Sequence, residues 1–168
     1  MTNLDLTFVT PSLAVGGGFP ESAAEHLARE VRIAAVVDLR AEARDDEALL
    51  LRHGMTLLHL PTLDHQAVSQ AMLDEGVAFA TGRLDRGERV LVHCEHGIGR
   101  SVLLALCVLV AQGAAPLDAL RRIKDAREAA SPSPAQHKAW QDWLQRRGVE
   151  PPGFDAFAAI AYRHPRSG

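Results

Sequence analysis

The sequence predicts an α/β fold in which a mostly parallel central sheet has helices on both faces and is followed by a helical C-terminal part. Three short segments, residues 33–39, 55–60 and 89–93, are almost continuously apolar. Segments with helical periodicity separate them. Strands that are apolar on both sides are typical of parallel sheets buried between two layers of helices.

The elements before residue 94 follow one another in a regular order. They are a strand pair within 7–15, a helix over 21–31, a strand over 33–39, a helix over 45–53, a strand over 55–60, a helix over 69–86 and a strand over 89–93. Gly54 and Gly87 directly follow two of these helices. Glycine at that position caps a helix C-terminus, so both helices are expected to end there.

From residue 100 onward the pattern is helical only. The predicted helices span 100–112, 116–129 and 134–147, the last two with a proline in the first turn. Residues 1–148 are expected to form one domain. Residues 149–168, the C-terminal tail, open on a Pro-Pro-Gly linker signal. A short helix over 154–162 would dock on the body, join a second copy or stay mobile.

The stretch from His93 to Ser101 carries the candidate chemistry. It joins a strand to a helix N-terminus, where unpaired backbone N–H groups and the helix dipole favour an anion. Gly97 and Gly99 allow successive N–H groups to converge on one centre as a nest for phosphate oxygens. Arg100 would add two parallel N–H bonds. The loop therefore predicts a phosphoryl-binding site.

Cys94 lies at the opening of this positive cradle. Comparable settings lower a cysteine pKa from about 8.5 to roughly 3.5–7.5, which predicts a nucleophile. His93 is placed to orient the loop, and the Ser101 hydroxyl to ease departure of the sulfur. Attack on a phosphate ester also needs a general acid for the leaving group. Asp64 is the predicted acid, because loops at the carboxyl ends of parallel strands meet in one crevice.

The pattern His-Cys-x-x-Gly-x-x-Arg-Ser, with an aspartate about thirty residues upstream, resembles the cysteine-dependent, dual-specificity-type protein tyrosine phosphatases. Segments 13–17, 36–40 and 60–61 resemble family landmarks in the same order. The resemblance covers roughly residues 8–147. It implies a protein tyrosine phosphatase-like fold and hydrolysis of phosphate esters through a phosphocysteine intermediate.

The resemblance also implies roles for individual residues. Cys94 would be the nucleophile, and Arg100 with the loop backbone would bind phosphate. Asp64 would act as acid and then as base, while Ser101 would assist breakdown of the phosphocysteine. Gln136 lies in a segment similar to one that, in some members, helps to place the hydrolytic water.

The phosphate-binding backbone would be supplied by the residues between the cysteine and Arg100, namely Glu95, His96, Gly97, Ile98 and Gly99. Family members that act on phosphoinositides often carry a lysine in this loop. Glu95 and His96 stand there instead, which lowers the expectation of a lipid substrate. Protonation of His96 in mildly acidic solution would partly reverse that argument.

Other polar residues have competing interpretations. Asp38, at another strand end, is the rival acid, although acids at this point of the resemblance are more often structural. Arg40 would bind an acidic substrate or pair with Glu42 or Asp45. Basic residues that alternate with acids predict a solvated face; they are Arg121, Arg122, Lys124 and Arg127. The histidines predicted at the surface or at edges are His26, His53, His59 and His137. No histidine pair has zinc-like spacing with further ligands, so neither a metal nor a cofactor is predicted.

The length, hydrophobic content and net charge of the chain limit the classes of partner and the cellular location that can be expected. The chain has 168 residues, 47% of them hydrophobic, which suits one domain with a full core. A formal net charge of −3 argues against nucleic acid or an anionic membrane as a partner. The start lacks the pattern of a signal peptide and no apolar run is long enough to span a membrane, so a cytoplasmic location is expected.

Cys107, about 10 Å from the helix start at 1.5 Å per residue, is predicted to lie in the core and too far from Cys94 to form a disulfide with it. The oligomeric state stays open.

Three functions compete. The leading one is a cysteine-dependent phosphatase acting on phosphorylated protein, whether at tyrosine, serine or threonine, or on small-molecule phosphates. The second is a binding module that captures phosphorylated partners without hydrolysing them. The third is sulfur transfer or oxyanion reduction by the same cysteine. Oxyanion reduction typically recruits a second thiol, and Cys107 is badly placed to serve.

Overall fold

The computed structural model describes residues 4–164, so the outer ends of the predicted ranges 1–148 and 149–168 lie outside the described residues. Its strands are β1 Leu6–Phe8, β2 Leu13–Gly16, β3 Ile33–Arg40, β4 Thr56–Thr62 and β5 Arg89–His93. They form one sheet in the order β1-β2-β5-β3-β4. Only β1 runs antiparallel to its neighbour. The predicted fold class, a mostly parallel α/β sheet, is confirmed.

The helices cover both faces of this sheet. They are α1 Ala24–Arg29, α2 Glu47–Arg52, α3 Gln70–Asp85, α4 Arg100–Ala111, α5 Pro116–Ala126, α6 Pro134–Arg146 and α7 Phe154–Ala161. One core, beneath α1 and α2, includes Leu27 and Leu50. The larger core on the other face surrounds α4, which is buried from Arg100 to Val110. Cys107 lies in it with no exposed surface, as predicted.

Helix ends explain the small differences from the predicted ranges. Gly54 and Gly87 have φ angles of 81° and 78° and terminate their helices as expected. Helix α2 starts two residues later than predicted because Asp46 caps it, accepting a hydrogen bond from the Leu49 amide. Helix α5 ends three residues early, because Arg127 leaves the helix with φ −138° and ψ 91°.

The described part of the C-terminal tail packs against the body through α7. Phe157 and Ala161 have no exposed surface. The Phe157 ring lies 4.3 Å from the His137 ring, centroid to centroid. The prediction that His137 lies at the surface is wrong, because α7 covers it. Between residues 4 and 164 the structure has no helix with the length and apolar character that crossing a membrane requires.

Candidate active site

The loop between β5 and α4 forms the floor of a cleft at the carboxyl ends of the parallel strands. Cys94 is 3% exposed, and its Sγ lies 3.3 Å from the Ser101 hydroxyl. The cleft is lined by Asp64, His65, Cys94, His96, Ile98, Gly99, Ser131 and Gln136. The structure therefore brings together the loops that follow β4 and β5, the segment before α6 and Gln136 of α6. The first two meet because loops at the carboxyl ends of parallel strands share one edge of the sheet.

Five successive carbonyl groups of this loop each accept a hydrogen bond from a donor on the side away from the cleft. The pairs are His93 Nδ1 to Cys94 (3.1 Å), the Gly18 amide to Glu95 (2.9 Å), Arg127 Nη2 to His96 (3.1 Å), Arg127 Nε to Gly97 (2.9 Å) and the Ser131 amide to Ile98 (2.8 Å). The C=O and N–H of a trans peptide point in opposite directions. The amides of residues 95–99 therefore face away from these donors, and together they form a nest for an anion.

Two glycines are required by close approach. Gly97 has a φ of 67°, and a Cβ there would lie 2.6 Å from Arg127 Nη2 and 2.7 Å from the Gly16 carbonyl oxygen. A Cβ on Gly99 would lie 2.5 Å from Gln136 Oε1. A side chain at Gly97 would push the loop away from its supports, whereas one at Gly99 would displace the Gln136 amide.

The surroundings of Cys94 favour its thiolate. Burial alone would raise the pKa of this thiol, but the net shift is downward. The Ser101 hydroxyl, the backbone amides of Ser101 and Gly97, and the charge of Arg100 all stabilise the anion. A sulfur that ionises more readily than an ordinary thiol has the property that is expected of the predicted nucleophile.

Arg100 is 1% exposed and held from one side. Its two terminal nitrogens donate to the Glu42 carboxylate at 2.7 and 2.9 Å, and Nη1 also donates to the Thr62 carbonyl at 2.8 Å. This pairing lowers the pKa of Glu42 to about 2. Arg100 Nε is one of two buried side-chain nitrogens or oxygens within residues 4–164 that have no hydrogen-bond partner. The guanidinium thus keeps a donor for a bound oxyanion.

Glu42 was not singled out for this site from the sequence, where it was only a possible partner of Arg40. It lies outside any helix or strand, between β3 and α2, and no local pattern links it to Arg100 across 58 positions. Only the adjacency of β3 and β5 in the sheet brings the two together.

Asp64 is half-exposed and lies in the same cleft as Cys94. Its Oδ1 is 3.6 Å from Arg100 Nη2 and accepts a hydrogen bond from the His65 amide at 2.9 Å. His65 has a φ of 65°, the left-handed region that non-glycine residues seldom occupy. The structure thus places this carboxylate in the cleft that Cys94 lines, 3.6 Å from the Arg100 guanidinium.

Gln136 joins α6 to the Asp64 loop. Its Oε1 accepts a hydrogen bond from the Ser133 amide while Ser133 Oγ accepts one from the Gln136 amide, a reciprocal cap at the start of α6. Its Nε2 donates to the Gln66 carbonyl at 3.3 Å. Each polar atom of the Gln136 amide thus holds one protein group and keeps one further hydrogen-bonding position, so its predicted contact with water does not require either bond to open.

A buried ionic network supports the loop from below. His93 Nε2 donates to Asp45 Oδ2 at 2.6 Å, and Arg40 donates to both Asp38 and Asp45. Burial would lower the pKa of His93, but Asp45 and Asp38 outweigh it and raise the pKa. Both ring nitrogens of His93 therefore act as donors, one to Asp45 and one to the Cys94 carbonyl.

The same network answers two open interpretations. Asp38 has no exposed surface and faces Arg40, not the cleft, so this rival acid is structural. Arg40 pairs with Asp45 at 3.0 Å and with Glu95 at 3.1 Å. Asp38, Asp45 and His93 are also close enough to hold a metal ion. The guanidinium of Arg40 already supplies positive charge between the two carboxylates.

The prediction of a solvated basic face is wrong for two of its four residues. Lys124 is 4% exposed and Arg127 is 7% exposed. Lys124 follows Leu120 by four positions, and Arg127 follows Ile123 by four. Both basic residues therefore continue the apolar stripe of α5, which points inward, and the helical period of the sequence contains this information. Lys124 Nζ donates to the carbonyls of Glu128 and Ala130.

Comparison with known proteins agrees with this geometry. A family model described as "Polymorphic toxin system, DSP-PTPase phosphatase" matches residues 20–114. Human dual specificity protein phosphatase 12 is 32% identical over 111 residues, which is 66% of this chain and 32% of that protein. The chain thus spans about a third of the length of the curated relative that it matches.

Solved structures share the fold. Tk-PTP in its active form superposes with a TM-score of 0.77 at 26% identity, covering 84% of this chain and 97% of that one. PTPMT1 in complex with PI(5)P gives a TM-score of 0.76 at 20% identity, covering 84% and 97%. At 20% identity the second likeness concerns the fold alone.

Proposed function

The chain belongs to the DSP-PTPase phosphatase family, and from this premise we propose that it hydrolyses phosphate monoesters through a phosphocysteine intermediate on Cys94. One observation carries the proposal. A sulfur with a lowered pKa lies at the floor of a cleft, beside an amide nest and a carboxylate. These are the nucleophile, the anion site and the general acid that in-line phosphoryl transfer needs.

In the first step, the amides of residues 95–99 and Arg100 Nε bind the non-bridging phosphate oxygens. The Cys94 thiolate attacks phosphorus, so a P–S bond forms while the P–O bond to the leaving group breaks. Asp64, protonated at that moment, gives its proton to the departing oxygen. The preorganised N–H groups stabilise the charge that develops on the phosphoryl oxygens.

In the second step, water attacks the phosphocysteine. The Asp64 carboxylate takes a proton from this water, and a new P–O bond forms as the P–S bond breaks. Ser101 Oγ, 3.3 Å from the sulfur, donates a hydrogen bond to the returning thiolate. Inorganic phosphate leaves and the thiolate is regenerated.

We propose phosphorylated proteins or small-molecule phosphates as substrates. The cleft is small, about 140 Å³, and is lined by uncharged groups together with Asp64 and the histidines His65 and His96. Its lining residues include no lysine or arginine that would pair with a second phosphate of a polyanionic head group. The cleft therefore suits a single phosphoryl group. A cytoplasmic location is proposed from the sequence, and fractionation of cells expressing the chain would test it.

The central experiment uses an aryl phosphate. We expect hydrolysis, inhibition by vanadate and loss of turnover in Cys94→Ser, with Cys107→Ser as the matched cysteine control that keeps activity. Undiminished hydrolysis in Cys94→Ser would refute the nucleophile. Asp64→Ala is expected to slow substrates with leaving groups of high pKa most, since good leaving groups need little protonation; equal losses for both kinds would remove Asp64 from the acid role.

The same assays separate the two alternatives. Affinity for phosphopeptides without turnover at any pH would favour a binding module. Oxyanion reduction typically recruits a second thiol, and Cys107 is fully buried with its pKa raised well above the ordinary value by burial. A screen of phosphopeptides, phosphoinositides and sugar or inositol phosphates would then identify the substrate.

A further inference from the structure

The segment between α5 and α6, residues 127–133, contacts the active site on one side and the C-terminal tail on the other. We call this segment the connector. It belongs to no helix or strand. Its position therefore depends on hydrogen bonds to its neighbours rather than on a regular backbone ladder.

On its inner side the connector holds both catalytic loops. Arg127 donates to the carbonyls of His96 and Gly97, and the Ser131 amide donates to that of Ile98. These three bonds orient three of the amides in the anion nest. Ser133 Oγ donates to the His65 carbonyl at 3.0 Å, which ties the connector to the loop of the general acid.

On its outer side the connector is held by the tail. The Tyr162 hydroxyl donates to the Pro132 carbonyl. Pro132 stands between the residue that binds the phosphate loop and the one that binds the acid loop. Arg163 Nη2 donates to Glu128 at 2.8 Å and to Asp125 at 2.9 Å. The two tail residues thus anchor the connector at both ends.

The tail itself has a fixed base. Phe157 and Ala161 are fully buried against the body. The Phe157 ring packs edge-on against the Tyr162 ring, with centroids 5.8 Å apart. The Tyr162 hydroxyl is therefore presented to the connector from a packed aromatic cluster, not from a free end.

We propose that the C-terminal tail is a working part of the active site, in which Tyr162 and Arg163 are positioning residues that align the phosphate loop and the Asp64 loop through the connector. The inference rests on the proposed phosphatase function. It goes beyond that function because the matched family region, residues 20–114, contains neither the connector nor the tail.

The experiment compares Tyr162→Phe and Arg163→Gln in the full chain. Tyr162→Phe keeps the ring and removes only the hydroxyl. Arg146→Gln is the matched control, since Arg146 forms an exposed ion pair with Asp74 and contacts Gln70 but not the connector. Three quantities are measured: kcat and KM for an aryl phosphate, the rate at which iodoacetate alkylates Cys94, and the melting temperature.

We expect each tail variant to lower kcat/KM roughly three- to tenfold, the size of effect that substitutions remote from a site produce. Alkylation of Cys94 is expected to slow by a similar factor, because a misaligned nest stabilises the thiolate less. Melting temperatures should stay within a few degrees of the parent value, and the control should match the parent in all three measurements.

Hydrolysis and alkylation rates equal to those of the control would overturn the inference. A lower melting temperature without a change in either rate would also overturn it, because the tail would then serve only stability. If the parent chain shows no phosphatase activity, the proposed function fails. The alkylation rates still test the positioning role in that case.

Discussion

Replacing Arg127 is expected to leave the protein folded but to remove most of its activity. Its guanidinium donates to the Gly97 carbonyl at 2.9 Å, to the His96 carbonyl at 3.1 Å, to Thr7 Oγ1 at 3.0 Å and to Asp5 Oδ1 at 2.9 Å. Arg127→Ala removes all four bonds. The two loop carbonyls then lose the group that turns them away from the cleft.

The size of the effect follows from these contacts. Leaving one buried carbonyl, that of Gly97, without a partner costs about 1–3 kcal/mol. The pair with Asp5 adds at most about 1 kcal/mol because that side chain is largely exposed. We therefore expect a loss of about 1–4 kcal/mol in the free energy of unfolding. Complete loss of one preorganised donor to a developing oxyanion costs about 10²–10³ in kcat. Arg127 only orients two such donors, so we expect kcat/KM to fall by about 10- to 100-fold.

Denaturant unfolding and aryl phosphate hydrolysis measure the two effects separately. Arg121→Ala, on α5 six positions earlier, is the matched control, because this exposed arginine pairs with Asp118, which is also exposed. Its stability is expected to change by less than about 0.5 kcal/mol. Arg127→Lys is expected to fall between the two, since one ammonium replaces a planar fork. Activity within threefold of the parent in Arg127→Ala would refute the reasoning.

Three further perturbations test other contacts. The pKa of His93 is raised in the folded state. Protonated His93 therefore stabilises the fold fully below its unfolded pKa of about 6.5, and this stabilisation is lost as the pH rises through the folded pKa. In Asp45→Asn, the free energy of unfolding measured from about pH 6 to 9 should depend less steeply on pH. The pKa of Glu42 is lowered to about 2. The Glu42 carboxylate therefore stabilises the fold at pH values above its unfolded pKa, and this stabilisation disappears as the pH falls through about 2. Glu42→Gln should remove this loss of stability in acid from unfolding curves. Gly97→Ala places a Cβ at a φ of 67° and 2.7 Å from the Gly16 carbonyl oxygen. It should cost about 1–3 kcal/mol in thermal or denaturant unfolding; a variant as stable as the parent would contradict the stated close approach.

Local patterns were sufficient for the fold and for the centre of the candidate site. Near-continuous apolar strands predicted a parallel sheet, and parallel strands bring the loops after β4 and β5 to the same edge of that sheet. This rule predicted that Asp64 and Arg100 share one crevice, although β3 separates the two strands. The helix ends at Gly54 and Gly87 followed from backbone conformation.

The supports of the site could not be predicted in the same way. Glu42 reaches Arg100 across 58 positions from a segment without regular structure. His137 became buried because α7 docks over it, and nothing in the α6 sequence announces that partner. Arg127 is a different case. Its position in line with the apolar stripe of α5 indicated burial, but the alternation of basic and acidic residues favoured the interpretation as a solvated face.

The hydrogen bond between Arg127 and Asp5 joins residues 122 positions apart. Synthesis on the ribosome delivers the N-terminal strand and the cysteine loop well before this arginine emerges. Until then, two carbonyls of the loop lack their donor and the anion nest is incomplete. The anion nest is therefore complete only after residue 127 has emerged, and a peptide copying only residues 93–101 would lack the two Arg127 bonds that orient it.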